Sequence, residues 1–230
     1  MHRLWLGFVP YVIVSLVHVG ALALAPERAG LTKLLLMPLL AVAVLWGRRD
    51  LRWVTTWPIW ALLLGAIALS WLGDAAGSFF ANLPTVPMML LFFGLAHLLY
   101  IWLFWRILPV RRVPPWAIVY ALWYVVLLAV LAPHLGGLLI AVALYGLVLG
   151  GTAVAASRCH PLIAWGGAFF LASDTILAFR LFMPDAMPDW TSPLVMLTYC
   201  LGQGLIAYGV IVAAHRLPTT ESTAEAGAQP

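Results

Sequence analysis

The sequence is dominated by eight apolar segments, each about twenty residues long, separated by short turns rich in proline, glycine or arginine. At a rise of about 1.5 Å per residue, one such segment crosses the hydrocarbon core of a bilayer as a helix. The chain is 64% hydrophobic and only 9% charged, whereas a soluble domain carries about 25% charged residues. We therefore predict an all-α polytopic membrane protein with eight transmembrane helices.

The predicted domain organisation follows from the positions of these segments. Residues 1–216 are expected to form a single eight-helix membrane domain, and residues 217–230, which are small and polar, a disordered C-terminal tail. The first segment is too long for a signal peptide and is interpreted as an uncleaved helix. No disulfide is expected, because Cys159 lies in a loop and Cys200 within a helix. The predicted helices cover residues 4–25, 31–46, 55–80, 86–106, 116–132, 138–156, 162–182 and 194–214.

The basic residues predict the orientation of the helices. With the N-terminus inside, nine basic residues face the cytoplasm and three face the other side, as the positive-inside rule requires. The nine are Arg3, Arg48, Arg49, Arg52, Arg106, Arg111, Arg112, Arg158 and Arg216, and the three are Arg28, Lys33 and Arg180. Both termini are therefore expected in the cytoplasm. Basic clusters of this kind set topology and do not indicate binding to nucleic acid.

Two aspartates, Asp74 and Asp174, each lie inside an otherwise apolar segment. A carboxylate within a membrane helix costs several kcal/mol unless it is paired, protonated or facing a polar cavity. One interpretation is structural, with each aspartate paired to Lys33 or Arg180. The other is catalytic, because two neighbouring carboxyl groups in a medium of low dielectric share a proton and supply one acid and one base.

Four further polar side chains lie at the same depth as the aspartates. Counting the helical rise along each segment places His97, Tyr100, Tyr199 and Gln203 between the middle of the bilayer and its outer face. His97 and Tyr100 are three residues apart and share a helix face, as do Tyr199 and Gln203, four apart. The common depth predicts a single site, although hydrogen bonding between helices would use the same residue types.

The remaining candidates have weaker signals. Lys33 could bind a lipid phosphate or merely extend to the interface. His18 is interpreted as a packing residue. No metal is predicted, since the sequence has no pair of histidines one helical turn apart. Ser70, Ser78 and Ser173 lack the Gly-x-Ser-x-Gly context of a serine hydrolase.

Several of these residues occur in segments that resemble the YhhN family of membrane proteins, which includes the eukaryotic lysoplasmalogenases. The resemblance covers about residues 30–210. Lys33 followed by Met37-Pro38 is similar to an early Lys-Pro segment of the family, although Leu34 stands where proline is expected. The four segments that carry the resemblance are Gly73-Asp74, Ala96-His97-Leu98-Leu99-Tyr100, Ala172-Ser173-Asp174 and Tyr199-Cys200-Leu201-Gly202-Gln203.

The resemblance implies a membrane hydrolase that cleaves the vinyl ether bond of lysoplasmalogens to a fatty aldehyde and glycerophospho-ethanolamine or -choline. Its catalytic pair would be Asp74 and Asp174, and no cofactor would be needed. Partners would be the lysophospholipid substrate and membrane lipids. Oligomeric state and head group stay open, and another lysolipid or enol ether is an alternative substrate. The residues expected to orient water or bind substrate are Lys33, His97, Tyr100, Ser173, Tyr199 and Gln203.

A proton-coupled transporter or a lipid-binding protein is the alternative, with the same acids as proton carriers. A weak parallel repeat of predicted helices 3–4 and 7–8 favours it, and the lack of broken-helix pairs in both halves disfavours it. The composition, rich in Ala, Leu, Val and Arg with a single lysine, is typical of a GC-rich bacterial genome. The expected location is therefore the bacterial inner membrane.

Overall fold

The structure is a computed structural model that describes residues 4–49, 51 and 53–217. Every regular element in these ranges is helical, which confirms the all-α prediction there. Of the predicted disordered tail, all residues but Leu217 lie outside the described residues. The helices are α1 (Val9–Leu24), α2 (Ala29–Gly47), α3 (Trp53–Asp74), α4 (Ala76–Phe79), α5 (Thr85–Trp102), α6 (Ile118–Leu135), α7 (Leu139–Ala156), α8 (Pro161–Phe182) and α9 (Thr191–Ala214).

Seven helical segments of the described chain are long and apolar enough to cross a membrane. One of them, Pro115–Ala156, contains both α6 and α7. The two helices meet at Gly136, whose φ of 50° is a backbone conformation that favours glycine. The hydroxyl of Tyr124 donates to the carbonyl of Ala143 at 3.1 Å, and Tyr124 also packs against Gly146. The segment therefore folds back on itself as an antiparallel hairpin.

Three predicted helix boundaries are wrong, among them the start of the last helix, which begins at Thr191 and not at residue 194. The helix predicted over 55–80 ends at Asp74, because Ala75 leaves the helical conformation (φ −88°, ψ 3°) before the short α4 begins. The helix predicted to end at 132 continues through Pro133 to Leu135. Proline so close to the end of a helix removes few hydrogen bonds, and the conformation of Gly136 is what stops α6.

The surface of the described chain is apolar on its outer helices. Leu16 on α1, Leu122 on α6 and Leu144 on α7 are each more than 60% exposed. By contrast α9 is central, and it packs against α1, α2, α3 and α8. Apolar side chains that face outward along whole helices need lipid as their solvent. The chain is therefore built as an integral membrane protein.

Helices α8 and α9 approach each other closely enough for their backbones to touch. A Cβ atom added at Gly166 would lie 2.8 Å from the backbone nitrogen of Ile206, and one at Gly202 would lie 2.8 Å from that of Phe170. Small residues allow such backbone contact between membrane helices. The contact fixes α8, which carries Asp174, against the face of α9 that carries Tyr199.

Replacing Gly202 with alanine should push α8 and α9 apart, because the new Cβ would clash with the backbone of Phe170. Overpacking of this kind costs about 1–3 kcal/mol. The variant should unfold at a lower temperature in detergent, measured by intrinsic fluorescence. Gly20→Ala is the matched control, since its Cβ would meet nothing within 4 Å. An unchanged unfolding temperature for Gly202→Ala would contradict the tight contact.

Candidate active site

The carboxylate of Asp74 lies at the end of α3 and is held by two other helices. Lys33 on α2 places its Nζ 3.4 Å from Oδ1 of Asp74, and Tyr199 on α9 donates its hydroxyl proton to Oδ2 at 2.8 Å. The Asp74 side chain is 4% exposed. A buried carboxylate with a cation and a hydroxyl donor has the partners that its removal from water requires.

Hydrogen bonds extend from Tyr199 into the protein through Gln203, one turn further along α9. Tyr100 on α5 donates to Oε1 of Gln203 at 2.6 Å. The amide nitrogen of Gln203 donates to the hydroxyl of Ser70 at 3.1 Å and to that of Tyr199 at 3.5 Å. The structure thus joins Lys33, Ser70, Asp74, Tyr100, Tyr199 and Gln203 into one group, hereafter the Asp74 cluster.

A second group, hereafter the Asp174 cluster, consists of His97, Tyr145, Thr152 and Asp174. Tyr145 on α7 donates its hydroxyl proton to Oδ2 of Asp174, and the same hydroxyl lies 3.4 Å from Nε2 of His97. Nε2 of His97 is 4.0 Å from Oδ2 of Asp174, and Nδ1 lies 3.1 Å from Oγ1 of Thr152. The aspartate therefore has a hydroxyl and an imidazole as neighbours.

Aromatic rings separate the two clusters. The ring of Phe170 lies 4.7 Å from that of His97 and 5.4 Å from that of Tyr199, between centroids. Phe93 packs edge-on against Phe170 and Tyr199. The two acids thus have separate hydrogen-bond partners within one site.

Two other residues named from the sequence form hydrogen bonds with α9 and with the loop before it. Ser173 donates its hydroxyl proton to the carbonyl of Val195 at 3.0 Å, which ties α8 to α9, so its role in substrate binding stays a prediction. Arg180 donates to the carbonyl of Pro188 at 3.1 Å and to the hydroxyl of Thr191. Among the described residues it is Lys33, and not Arg180, that pairs with an aspartate.

Sequence reasoning missed Tyr145 and Thr152, which hold the Asp174 cluster together from α7. Both lie in an apolar segment that contains no aspartate or glutamate, so no buried charge marked this segment as part of a site. Their spacing of seven residues, two helical turns, places them on one face of α7. That face is the one turned towards His97, and a search for polar side chains at this spacing would have found it.

An apolar cavity opens beside Asp174, between α5, α6, α7 and α8. Its empty volume, counted together with space that is open to the outside, is about 590 Å³. Of the residues that line it, only Tyr145 and Asp174 carry a polar side chain, and both belong to the Asp174 cluster. The remaining wall includes Leu90, Val142 and Leu181. An apolar cavity of this kind suits a hydrocarbon chain whose end lies beside the carboxyl group of Asp174.

A second cavity, hereafter the basic pocket, lies between α1, α2, α8 and α9 and has an empty volume of about 650 Å³. Lys33, Arg180, Ser192 and His18 contribute polar side chains to its wall. Leu177 lines both cavities, so the two are neighbours on either side of α8. One side of the site is therefore apolar and the other basic.

Neither cysteine belongs to the Asp74 cluster or to the Asp174 cluster. Both are free and buried, and burial raises the pKa of the Cys159 thiol to about 12, so that thiol is a poor nucleophile at neutral pH. In the described part of the chain, no three His, Cys, Asp or Glu side chains are grouped so as to hold a metal ion. The expectation that the protein needs no metal stays a prediction.

The fold and the site together define a polytopic helical membrane protein with two acids, each held in its own hydrogen-bonded cluster. A model of the YhhN family matches residues 29–210, and the chain belongs to that family. The resemblance drawn from the four short segments is thereby confirmed. A search of the curated proteins and a search of the solved structures both found no match.

Tyr145→Phe should destabilise the protein, because Asp174 loses its hydroxyl donor in a buried site. Leaving a buried acceptor unsatisfied costs about 1–3 kcal/mol. Tyr124→Phe is the matched control, since it removes a hydroxyl that donates to a backbone carbonyl away from the acids; such bonds in membranes average about 0.6 kcal/mol. Thermal unfolding in detergent compares the two. An equal loss in both variants would contradict a special role for the Tyr145 hydroxyl.

Proposed function

We propose that the chain is a membrane hydrolase that cleaves the vinyl ether bond of a lysoplasmalogen, with Asp74 and Asp174 as its acid–base pair. The observation that carries the proposal is the asymmetry of the two acids. Asp74 is paired with a lysine, whereas Asp174 lines an apolar cavity beside a tyrosine and a histidine. Membership of the YhhN family is consistent with this reaction.

The surroundings of the two acids support different roles. Asp74 has the ammonium group of Lys33 as its ion-pair partner, which partly offsets the cost of removing a carboxylate from water. Asp174 has no lysine or arginine among its hydrogen-bond and ion-pair partners in the described chain, and it faces the cavity that suits the lipid chain. Asp174 is therefore the proposed acid and Asp74 the proposed base, two roles set by environment.

The reaction begins when Asp174 gives its proton to the β-carbon of the vinyl ether, which produces an oxocarbenium ion. The carboxylate of Asp74 stabilises this cation and accepts a proton as water adds to the positive carbon. The resulting hemiacetal returns its hydroxyl proton to Asp174 as the carbonyl forms, and Asp74 protonates the departing glycerol oxygen. The products are a fatty aldehyde and a glycerophospho alcohol, and both acids regain their initial states.

The other members of the clusters have supporting roles in this scheme. Tyr199 and Lys33 hold Asp74 in place, and Tyr145 does the same for Asp174. Within the Asp174 cluster, His97 is near enough to exchange a proton with the carboxyl group through the Tyr145 hydroxyl. Rigid support of this kind keeps catalytic groups at a productive distance.

Asp74→Asn and Asp174→Asn should each lower aldehyde release by a factor of about 10²–10⁴, the usual contribution of general acid–base catalysis. The assay uses purified protein in detergent with lysoplasmenylethanolamine, without any ion gradient and with chelator present. Asp189→Asn, in the loop between α8 and α9, is the matched control and should leave kcat unchanged.

The same assay separates the hydrolase from a transporter. A transporter moves its substrate only across a sealed membrane, so it would release no aldehyde in detergent. If the folded, monodisperse wild-type protein releases no aldehyde from vinyl-ether lipids, the proposed function fails. Flux driven by a pH difference in sealed vesicles would then support the transporter.

We further propose eight membrane crossings, with both termini in the cytoplasm of a bacterial inner membrane. The hairpin of α6 and α7 supports this number, because each of its helices has 18 residues, close to the length that a crossing needs. Topology reporters fused to the N-terminus and after Arg216 should lie on the same side. Reporters on opposite sides would mean an odd number of crossings, as expected if Pro115–Ala156 crossed the membrane only once.

A further inference from the structure

His18 on α1 carries an unusual buried nitrogen. The residue is 1% exposed, and its Nε2 atom has no hydrogen-bond partner. No other buried side-chain nitrogen or oxygen of the described residues lacks one. A buried polar atom without a partner costs free energy, so it needs an explanation such as a ligand that the structure does not contain. His18 lines the basic pocket beside Lys33.

The hydrogen bonds of His18 determine what its Nε2 atom can do. Nδ1 lies 2.8 Å from Oγ1 of Thr32, and the Thr32 hydroxyl donates its single proton to the carbonyl of Ala29 at 2.9 Å. Thr32 can then only accept from Nδ1, so in the neutral ring Nδ1 carries the proton. Nε2 is consequently a hydrogen-bond acceptor, and a donor such as a hydroxyl group would satisfy it.

The same arrangement occurs at the other buried histidine of the site. Nδ1 of His97 lies 3.1 Å from Oγ1 of Thr152, whose hydroxyl donates to the carbonyl of Val148 at 2.9 Å. There Nε2 lies 3.4 Å from the hydroxyl oxygen of Tyr145, whose proton is donated to Asp174. A threonine thus fixes each imidazole and presents Nε2 to the site, but only His97 has a protein hydroxyl in front of it.

The basic pocket also offers positive charge. Arg180 has neutral partners, the Pro188 carbonyl and the Thr191 hydroxyl, so its charge is available to an anion. Lys33 is paired with Asp74, yet its side chain is still 34% exposed. Arg180 follows Asp174 by six residues, about 9 Å along the axis of α8. This distance is comparable to the length of the glycerol unit that separates the phosphate from the ether carbon in a lysophospholipid.

We propose that the basic pocket binds the glycerophosphate unit of a lysophospholipid, with the free sn-2 hydroxyl donating to Nε2 of His18 and the phosphate beside Arg180. The inference rests on the proposed function for its choice of ligand. It makes His18 a specificity-determining residue, because a lipid acylated at that oxygen has no proton to donate. The interpretation of His18 as a packing residue is thereby replaced. The match to the YhhN family begins at residue 29, so His18 is not part of it.

Two lipids that differ by one methyl group test this assignment without any hydrolysis. They are 1-O-octadecyl-glycero-3-phosphocholine with a free sn-2 hydroxyl and the same lipid with an sn-2 methoxy group, and neither has a vinyl ether. Binding of each radiolabelled lipid to the full-length protein in nanodiscs is measured by scintillation proximity. The wild type should bind the hydroxyl lipid roughly fivefold tighter, the equivalent of one hydrogen bond.

The histidine variants test which residue recognises the hydroxyl. In His18→Phe the ratio of the two affinities should fall to about one, whereas His18→Gln, whose amide oxygen can accept, should retain part of the preference. His134→Phe, at the exposed end of α6, is the matched control and should keep the wild-type ratio. Equal affinities in the wild type, or an unchanged ratio in His18→Phe, would overturn the proposal.

The phosphate is tested separately. Arg180→Gln should weaken binding of both lipids by the same factor and leave their ratio unchanged, and Arg112→Gln in the loop between α5 and α6 is its control. Inorganic phosphate should not displace either lipid at millimolar concentration. Displacement by phosphate alone would overturn the lipid assignment in favour of a free anion.

The binding test and the aldehyde assay can fail independently. Aldehyde release without any preference for the hydroxyl lipid would remove the inference about His18 and keep the hydrolase. Preference for the hydroxyl lipid without aldehyde release would remove the hydrolase and support a protein that recognises lysophospholipids through His18.

Discussion

The ion pair between Asp74 and Lys33 is the constraint on which the rest of the site depends. A carboxylate at the C-terminal end of α3 is stable in a membrane only with a cation and a donor close by. Lys33 supplies the cation from α2, and Tyr199 supplies the donor from α9. Gln203 then carries the hydrogen bonds on to Tyr100 and α5. One charged group thus specifies how four helices must be arranged, and the close contact of α8 and α9 is built around that arrangement.

Each acid has one partner from its own half of the chain and one from the other half. Asp74 is paired with Lys33 and is also held by Tyr199 near the C-terminus, whereas Asp174 is held by Tyr145 and is also near His97 of α5. Each aspartate therefore depends on the correct position of the other half. Their surroundings are unequal, because Asp74 has an ion pair and Asp174 lines an apolar cavity. Two identical side chains can have different chemistry for this reason alone.

The sequence predicted what depends on composition and single buried charges. It predicted the helical membrane fold, and it named Asp74, Tyr100, Tyr199 and Gln203, which hydrogen bonds join in the structure. It did not predict features that depend on packing. Tyr145 becomes a partner of Asp174 only because the α6–α7 hairpin brings its face of α7 to the site. Gly136 ends α6 through a backbone angle, and the tautomer of His18 follows from a threonine fourteen residues away. Patterns of hydrophobicity contain none of this information.

The central position of α9 has a consequence for how the protein is made. Membrane helices leave the ribosome in order, so α2 and α3 enter the bilayer long before Tyr199 and Gln203 exist. During that interval Lys33 is the partner that the growing chain can offer to Asp74, and Tyr100 has no amide to receive its proton. Insertion of the last helix therefore closes the network in a single late step. A nascent chain that stalls before α9 would contain both aspartates, yet Asp74 would lack the hydroxyl of Tyr199 as a donor.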